Sequence, residues 1–173
     1  QLFLALIMKV VILAGGFGSR ISEKTQSIPK PMIEIGGKPI IVHIMERYIR
    51  YGYKEFIIAL GYKSHILKKY FANYHLMSSD FKVNLSSGII DTNKNEGMDC
   101  EVTLVETGLE TMTGGRLSRL RDYISDERFF LTYGDGVSNI NIDKLLKNHV
   151  DSKKLLTMSI VRPPARFGVL EIN

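Results

Sequence analysis

The chain has 173 residues, 45% hydrophobic and 24% charged, with 15 glycines, a composition that excludes disordered, collagen-like and coiled-coil proteins. Its length suits one hydrophobic core. Lys and Arg exceed Asp and Glu by 23 to 18, and the formal charge of +5 favours anionic partners without choosing among nucleotides, nucleic acid and acidic lipid.

The apolar opening Leu2-Phe3-Leu4-Ala5-Leu6-Ile7 lacks a basic leader and a small-residue cleavage site, and it is far shorter than the roughly 20 residues that span a bilayer. Residues 1–7 are read as an N-terminal extension, with no membrane partner, and residues 8–173 as the domain. Short Val- and Ile-rich runs then alternate with amphipathic stretches, the order of an α/β fold with a mostly parallel sheet flanked by helices. Lys9 to Ala14 is the first strand, continuously apolar and so covered on both faces. After Pro39, Ile40, Ile41, Ile44, Met45, Tyr48 and Ile49 recur at helical spacing. Phe56 to Leu60 reads as a strand, Ser64 to Asn73 as a helix and Glu101 to Val105 as a strand. Between Tyr74 and Asp99 the pattern weakens, and the polar run from Asp91 to Gly97 reads as an excursion above the sheet. Arg116 to Ile124 is helical by pattern. Phe129 to Tyr133 is a buried strand, Asp143 to Val150 a helix capped by Asn141 or Asp143, and Leu155 to Val161 a further strand. Residues 167–173 begin a strand without a return, so the domain is read as incomplete at its C-terminal end.

Cys100 is the single cysteine, which rules out an intrachain disulfide or a cysteine-rich zinc site and fits a reducing, cytoplasmic compartment. The most informative segment is Leu13-Ala14-Gly15-Gly16-Phe17-Gly18-Ser19-Arg20, a glycine-rich loop leaving the first strand, followed by Pro29-Lys30-Pro31. Such a loop lets backbone N–H groups close on phosphate oxygens, and parallel sheets bind ligands at that end of their strands. It is not a P-loop, because no Gly-Lys-Ser/Thr follows, nor a dinucleotide fingerprint, because Ile21 stands where the third glycine belongs. Arg20 and Lys30 supply the fixed cations that a triphosphate needs. Pro29 and Pro31 are expected to hold the backbone around Lys30 extended and so aim its ammonium.

Two further segments carry chemistry. In Thr132-Tyr133-Gly134-Asp135-Gly136 a strand ends in a carboxylate between glycines, which suits one oxygen ligand to a magnesium ion shared with phosphate. Asp135 is the metal candidate. In Met112-Thr113-Gly114-Gly115-Arg116 a helix start and Arg116 could face a nucleobase or phosphate, with Arg119 and Arg121 on a solvated face. The pairs Lys68-Lys69 and Lys153-Lys154 are scattered and lack interleaved aromatics, which argues against a nucleic-acid partner.

Together, Gly15 to Arg20 and Pro29-Lys30-Pro31-Met32 resemble the signature of the sugar-1-phosphate nucleotidylyltransferases. Met112 to Leu117, Leu131 to Val137, Tyr70 to Tyr74 and Arg166-Phe167-Gly168 are similar to the cytidylyltransferase branch that acts on glucose 1-phosphate. The resemblance implies the Rossmann-like fold of the nucleotide-diphospho-sugar transferases, with CTP and α-D-glucose 1-phosphate as substrates, CDP-glucose and pyrophosphate as products, and Mg2+ as cofactor. It places Leu13, Ala14 and Gly15 against the nucleotide, Gly16, Phe17, Gly18, Ser19 and Arg20 around the triphosphate, and Lys30 on the reacting phosphates. Thr111, Arg116 and Gly134 join the nucleotide site, and Asp135 holds the metal. It also implies a homo-oligomer for the full-length molecule, and a second metal aspartate with sugar contacts from a later segment. The alternatives are a uridylyl-, thymidylyl- or guanylyltransferase of another sugar 1-phosphate, or a non-catalytic nucleotide or sugar-phosphate sensor.

Overall fold

An uninterrupted apolar run is stable as a strand only where both faces are covered. In the computed structural model, which describes residues 8–17, 27–92, 97–125 and 127–161, the run Val10–Leu13 is β1. It lies between two parallel neighbours. β4 (Glu55–Leu60) pairs with it from Val10↔Phe56 to Leu13↔Ala59, and β8 (Phe130–Tyr133) from Val10↔Phe130 to Leu13↔Tyr133. β7 (Glu101–Glu106) joins β4, so the order is β7-β4-β1-β8, parallel throughout.

The pleat sends alternate side chains to opposite faces. Val11, Leu13, Ile57, Ala59 and Val105 form one cluster with Leu120 and Ile124, contributed by the helical segment that covers this face. That segment is α4 (Thr113–Arg119) followed by α5 (Arg121–Ile124). The expected continuous helix is interrupted at Leu120, and the break buries Leu120 and Ile124 together. On the other face Val10, Ile12, Phe56 and Ile58 are fully buried. α1 (Ile40–Ile49) lies there, burying Ile41, Val42, Ile44, Met45 and Tyr48. The Tyr48 ring is 5.5 Å from that of Phe130, which shares the row of Val10.

Short elements connect these layers. β2 (Glu34–Ile35) and β3 (Lys38–Pro39) form a hairpin through Gly36 and Gly37, both with positive φ, the conformation such a two-residue turn requires. α2 (Ser64–Ala72) follows β4, and α3 (Tyr74–Met77) leads into a second hairpin of β5 (Phe81–Val83) and β6 (Ile90–Thr92). Asp91 and Thr92, read as part of a loop, therefore end a strand. Backbone pairing with Lys82 overrides the weak strand propensity of Asp91.

Two other expectations are corrected. β8 is not buried along its length: Phe130 is, but Leu131 and Tyr133 are 41% and 60% exposed. Among the described residues β8 has β1 as its one strand neighbour, and none of its side chains joins the cluster built on Leu120 and Ile124. Residues 155–161 form no strand. Leu155, Leu156, Met158, Ile160 and Val161 are exposed, and propensity makes no strand without a neighbouring ladder, which no described residue provides for them.

These residues fall in a second compact unit, 138–173, separate from 1–137. Its helix α6 (Ile142–Ser152) is capped by Asn141, whose side chain accepts from the Lys144 N–H at 2.9 Å, so Asn141 and not Asp143 holds the cap. His149 Nδ1 lies 2.9 Å from Thr157 Oγ1 within the same unit. No helix among the described residues is long and apolar enough to cross a membrane.

Leu120 links the helical layer to three strands. Leu120→Ala is expected to lower the unfolding free energy by about 3 kcal/mol, the cost of a buried leucine plus its cavity, as measured by urea denaturation.

Candidate active site

Four strand ends lie side by side at the carboxyl edge of the sheet, where parallel sheets bind ligands. Thr107 follows β7, Gly61 follows β4, Ala14 and Gly15 follow β1, and Gly134 and Asp135 follow β8. The Ala14 N–H donates to Ala59 O at 3.0 Å and carries the register of the sheet one step further. Leu13, Ala14 and Gly15 are buried, while Gly16 and Phe17 are exposed. The Phe17 ring lies 5.4 Å from that of Tyr62, so the segments after β1 and β4 touch. Gly18, Ser19 and Arg20 lie outside the described residues, as do residues 1–7 and Arg166-Phe167-Gly168.

Arg116 is 5% exposed, and its guanidinium points at protein oxygens. Nη1 donates to Leu60 O at 3.0 Å, Thr107 Oγ1 at 2.7 Å and Gly108 O at 2.8 Å. Nη2 donates to Gly15 O at 2.9 Å and Leu109 O at 3.2 Å. No described carboxylate lies within ion-pair distance of it. Burial, and secondarily the Arg119 charge, lower its pKa, but arginine starts so far above neutrality that it stays charged.

The position also accounts for two glycines. A Cβ on Gly15 would overlap the guanidinium, and one on Gly61 would lie 2.6 Å from Nη1 and 2.7 Å from Gly15 O. At Gly15 the missing side chain makes room for an arginine. At Gly16 a Cβ would meet nothing within 4 Å.

Arg119 departs from the solvated role expected of it. Although exposed, it donates through Nη1 to Thr107 O at 2.6 Å and to Thr111 Oγ1 at 2.8 Å, because the start of α4 turns this face toward the segment after β7. Arg121 is exposed as expected. Gly61, Thr107 and Arg119 join this constellation in the structure although the sequence patterns above do not single them out for it. The available signal was a glycine or hydroxyl residue immediately after each of two strands.

Lys30 and Asp135 are brought together. Lys30 is not extended; it opens a 3₁₀ turn, Lys30–Met32, closed by Met32 N–H to Pro29 O at 2.9 Å and Ile33 N–H to Lys30 O at 3.0 Å. The extended residues are those flanking the turn, Pro29 with φ −70° and ψ 148° and Ile33 with φ −66° and ψ 128°. Pro31 fits the first turn because its missing N–H is not needed there. Pro29, Pro31 and Met32 are buried and anchor the turn.

On the other side, the Gly134 N–H donates to Leu13 O at 2.9 Å. A Cβ there would lie 3.1 Å from both Leu13 O and Pro31 Cγ, so a glycine lets the end of β8 approach β1 and the lysine turn at once. Lys30 Nζ then stands 3.5 Å from Asp135 Oδ2, with the side chains 19% and 44% exposed. The described residues contain no cluster of three His, Cys, Asp or Glu able to cage a metal. Asp135 fits the other mode, one hard oxygen donor to a metal shared with phosphate and water.

Residues 9–173 match the Nucleotidyl transferase family model. The chain belongs to the nucleotidyl transferase family. This nucleotidyl transferase is 48% identical over 167 residues to glucose-1-phosphate cytidylyltransferase of Salmonella typhimurium, covering 96% of this chain and 65% of that one. It is 42% identical over 166 residues to a probable glucose-1-phosphate cytidylyltransferase of Bacillus subtilis, with the same coverage. The chain thus spans 65% of the length of these relatives. Among solved structures it is similar to HddC from Yersinia pseudotuberculosis complexed with GMP-PN, with a TM-score of 0.61, 26% identity, and coverage of 84% of this chain and 55% of that one.

A partly exposed pair such as Lys30 and Asp135 contributes little to stability. Asp135→Asn is expected to change the unfolding free energy by less than about 1 kcal/mol in urea titration; a larger loss would make the pair a structural strut.

Proposed function

We propose that this nucleotidyl transferase transfers the cytidylyl group of CTP to α-D-glucose 1-phosphate, giving CDP-glucose and pyrophosphate. Similarity to the two cytidylyltransferases supports the choice of nucleotide and sugar. The observation that carries the chemistry is the Lys30 ammonium 3.5 Å from the Asp135 carboxylate, beside the end of the strand that opens the glycine segment. A cation and a metal-binding oxygen at one place are what two reacting phosphates require.

In this reading a phosphate oxygen of the sugar phosphate attacks the α-phosphorus of CTP in line. The new oxygen–phosphorus bond forms as the bond to the β-phosphate bridge breaks, and pyrophosphate carries away the electron pair. The attacking phosphate is already ionised, so no protein group has to remove a proton. Lys30 offsets the repulsion between the two anions and the charge gathering on the transferred phosphoryl oxygens. Backbone N–H groups of the glycine segment, with Arg20, hold the triphosphate, and fixed orientation supplies the entropic part of the acceleration. Asp135 would hold Mg2+, which when bound supplies further positive charge to the phosphate oxygens.

Lys30→Ala in the intact gene product is expected to lower kcat by roughly a hundredfold, the scale of lost transition-state charge stabilisation. Pyrophosphate release with CTP, glucose 1-phosphate and Mg2+ measures it, and an unchanged rate would remove Lys30 from the chemistry. The same assay with UTP, dTTP and GTP tests the nucleotide: preference for one of these over CTP would overturn the cytidylyl reading.

A further inference from the structure

The Arg116 guanidinium has four N–H groups on its two terminal nitrogens, and five hydrogen bonds to protein oxygens engage those nitrogens. No terminal donor is left for a ligand. The acceptors belong to the segments following three different strands: Gly15 after β1, Leu60 at the end of β4, and Thr107, Gly108 and Leu109 after β7. All are neutral, so the charge is held in place without being cancelled by a carboxylate.

We infer that Arg116 is the positioning residue of this site: one buried guanidinium holds the carboxyl ends of β1, β4 and β7 in a fixed constellation, and Gly15 and Gly61 are glycines because they seat it. The inference goes beyond direct contact with nucleotide, and its kinetic consequence rests on the reaction proposed above. In a trans peptide the C=O and the following N–H point in opposite directions, and the described chain contains no cis bond. A Gly15 carbonyl drawn toward Arg116 therefore turns the Gly16 N–H away from the guanidinium. The arginine sets the direction of the Gly16 amide, and its charge, which no described carboxylate pairs, acts on the same region from the protein side.

The clamp has its own reporters. The Tyr62 N–H donates to Gly15 O at 3.2 Å and the Thr107 N–H to Leu60 O at 3.0 Å, and both carbonyls are also acceptors of Arg116. Arg116→Lys keeps the charge but loses the planar fork. In the intact, nucleotide-free protein it is expected to speed amide hydrogen exchange at Tyr62 and Thr107 roughly tenfold to a hundredfold, as lost hydrogen bonds to a charged group imply. Amides within the strands, such as those of Val11 and Ile58, should keep their rates. With CTP and glucose 1-phosphate, kcat itself should fall, because the phosphates bind to a misaligned loop.

Unchanged exchange at Tyr62 and Thr107 with only KM for CTP raised would make Arg116 a direct ligand and overturn the proposal. Equal acceleration across all strands would also overturn it, by reducing Arg116 to a general stabiliser. Should Arg116→Lys not fold, Gly61→Ala retains the arginine but sets a methyl group against it, and the same local acceleration is expected. If the unsubstituted protein releases no pyrophosphate, the proposed reaction fails, while the exchange measurement still decides the clamp.

Discussion

A charged guanidinium removed from water must find hydrogen-bond acceptors for nearly all its donors, because each unsatisfied one costs on the order of 1–3 kcal/mol. Arg116 meets that demand with four carbonyls and one hydroxyl instead of a carboxylate. Carbonyl acceptors are fixed to the backbone, so satisfying the cation also fixes the backbone. The arrangement of three strand ends follows from this one requirement: the segments after β1, β4 and β7 must converge closely enough for one planar group to reach them. Gly15 and Gly61 permit that convergence, since a methyl group at either position would occupy the space of the guanidinium.

β1 couples this half of the edge to the other. It pairs residue by residue with β4 on one side and with β8 on the other, and its last carbonyl, that of Leu13, receives the Gly134 N–H. A displacement at the end of β1 therefore reaches Asp135 through a single hydrogen bond and two residues of chain. The Lys30 turn is held from the same direction, because Pro31 packs where a side chain at position 134 would stand. The interior rigidity comes from the layers beneath: Val11 and Leu13 lie in the cluster with Leu120 and Ile124, while Val10 and Ile12 are sealed on the opposite face.

Much of this architecture was legible in the sequence because its signals are strong and local. Val10 to Leu13 could hardly be other than a buried strand, and the apolar stripe after Pro39 marked α1 within a residue at either end. The glycine segment, Lys30 and Asp135 stand out in the sequence because their residue types have few uses together, and the structure adds that Lys30 and Asp135 are neighbours. What escaped depends on contacts distant in sequence. Nothing local distinguishes a helical arginine that faces water from one that reaches back to the segment before its own helix, as Arg119 does toward Thr107 and Thr111, and nothing near Gly61 announces the distant Arg116 that it makes room for. The exposure of Leu131 and Tyr133 is hidden for a similar reason, since apolar letters do not reveal which side chains of a strand find a covering layer. In residues 155–161 strand propensity was real, but propensity supplies no ladder.

The two basic groups at this edge are held in contrasting ways, and the contrast matches what phosphate chemistry demands. Arg116 is buried with both terminal nitrogens engaged, so it is poorly suited to exchange partners during a reaction. Lys30 is partly exposed and faces one carboxylate at a distance where the attraction is worth about 1 kcal/mol or less. A polyanion arriving beside it offers a stronger partner, and the ammonium can turn toward the phosphates at little energetic cost while its buried proline anchors keep the backbone in place. Rigidity in the arginine and exchangeability in the lysine are thus complementary: the first is tied to the backbone of three strand ends, and the second keeps a charge that can change partners at little cost.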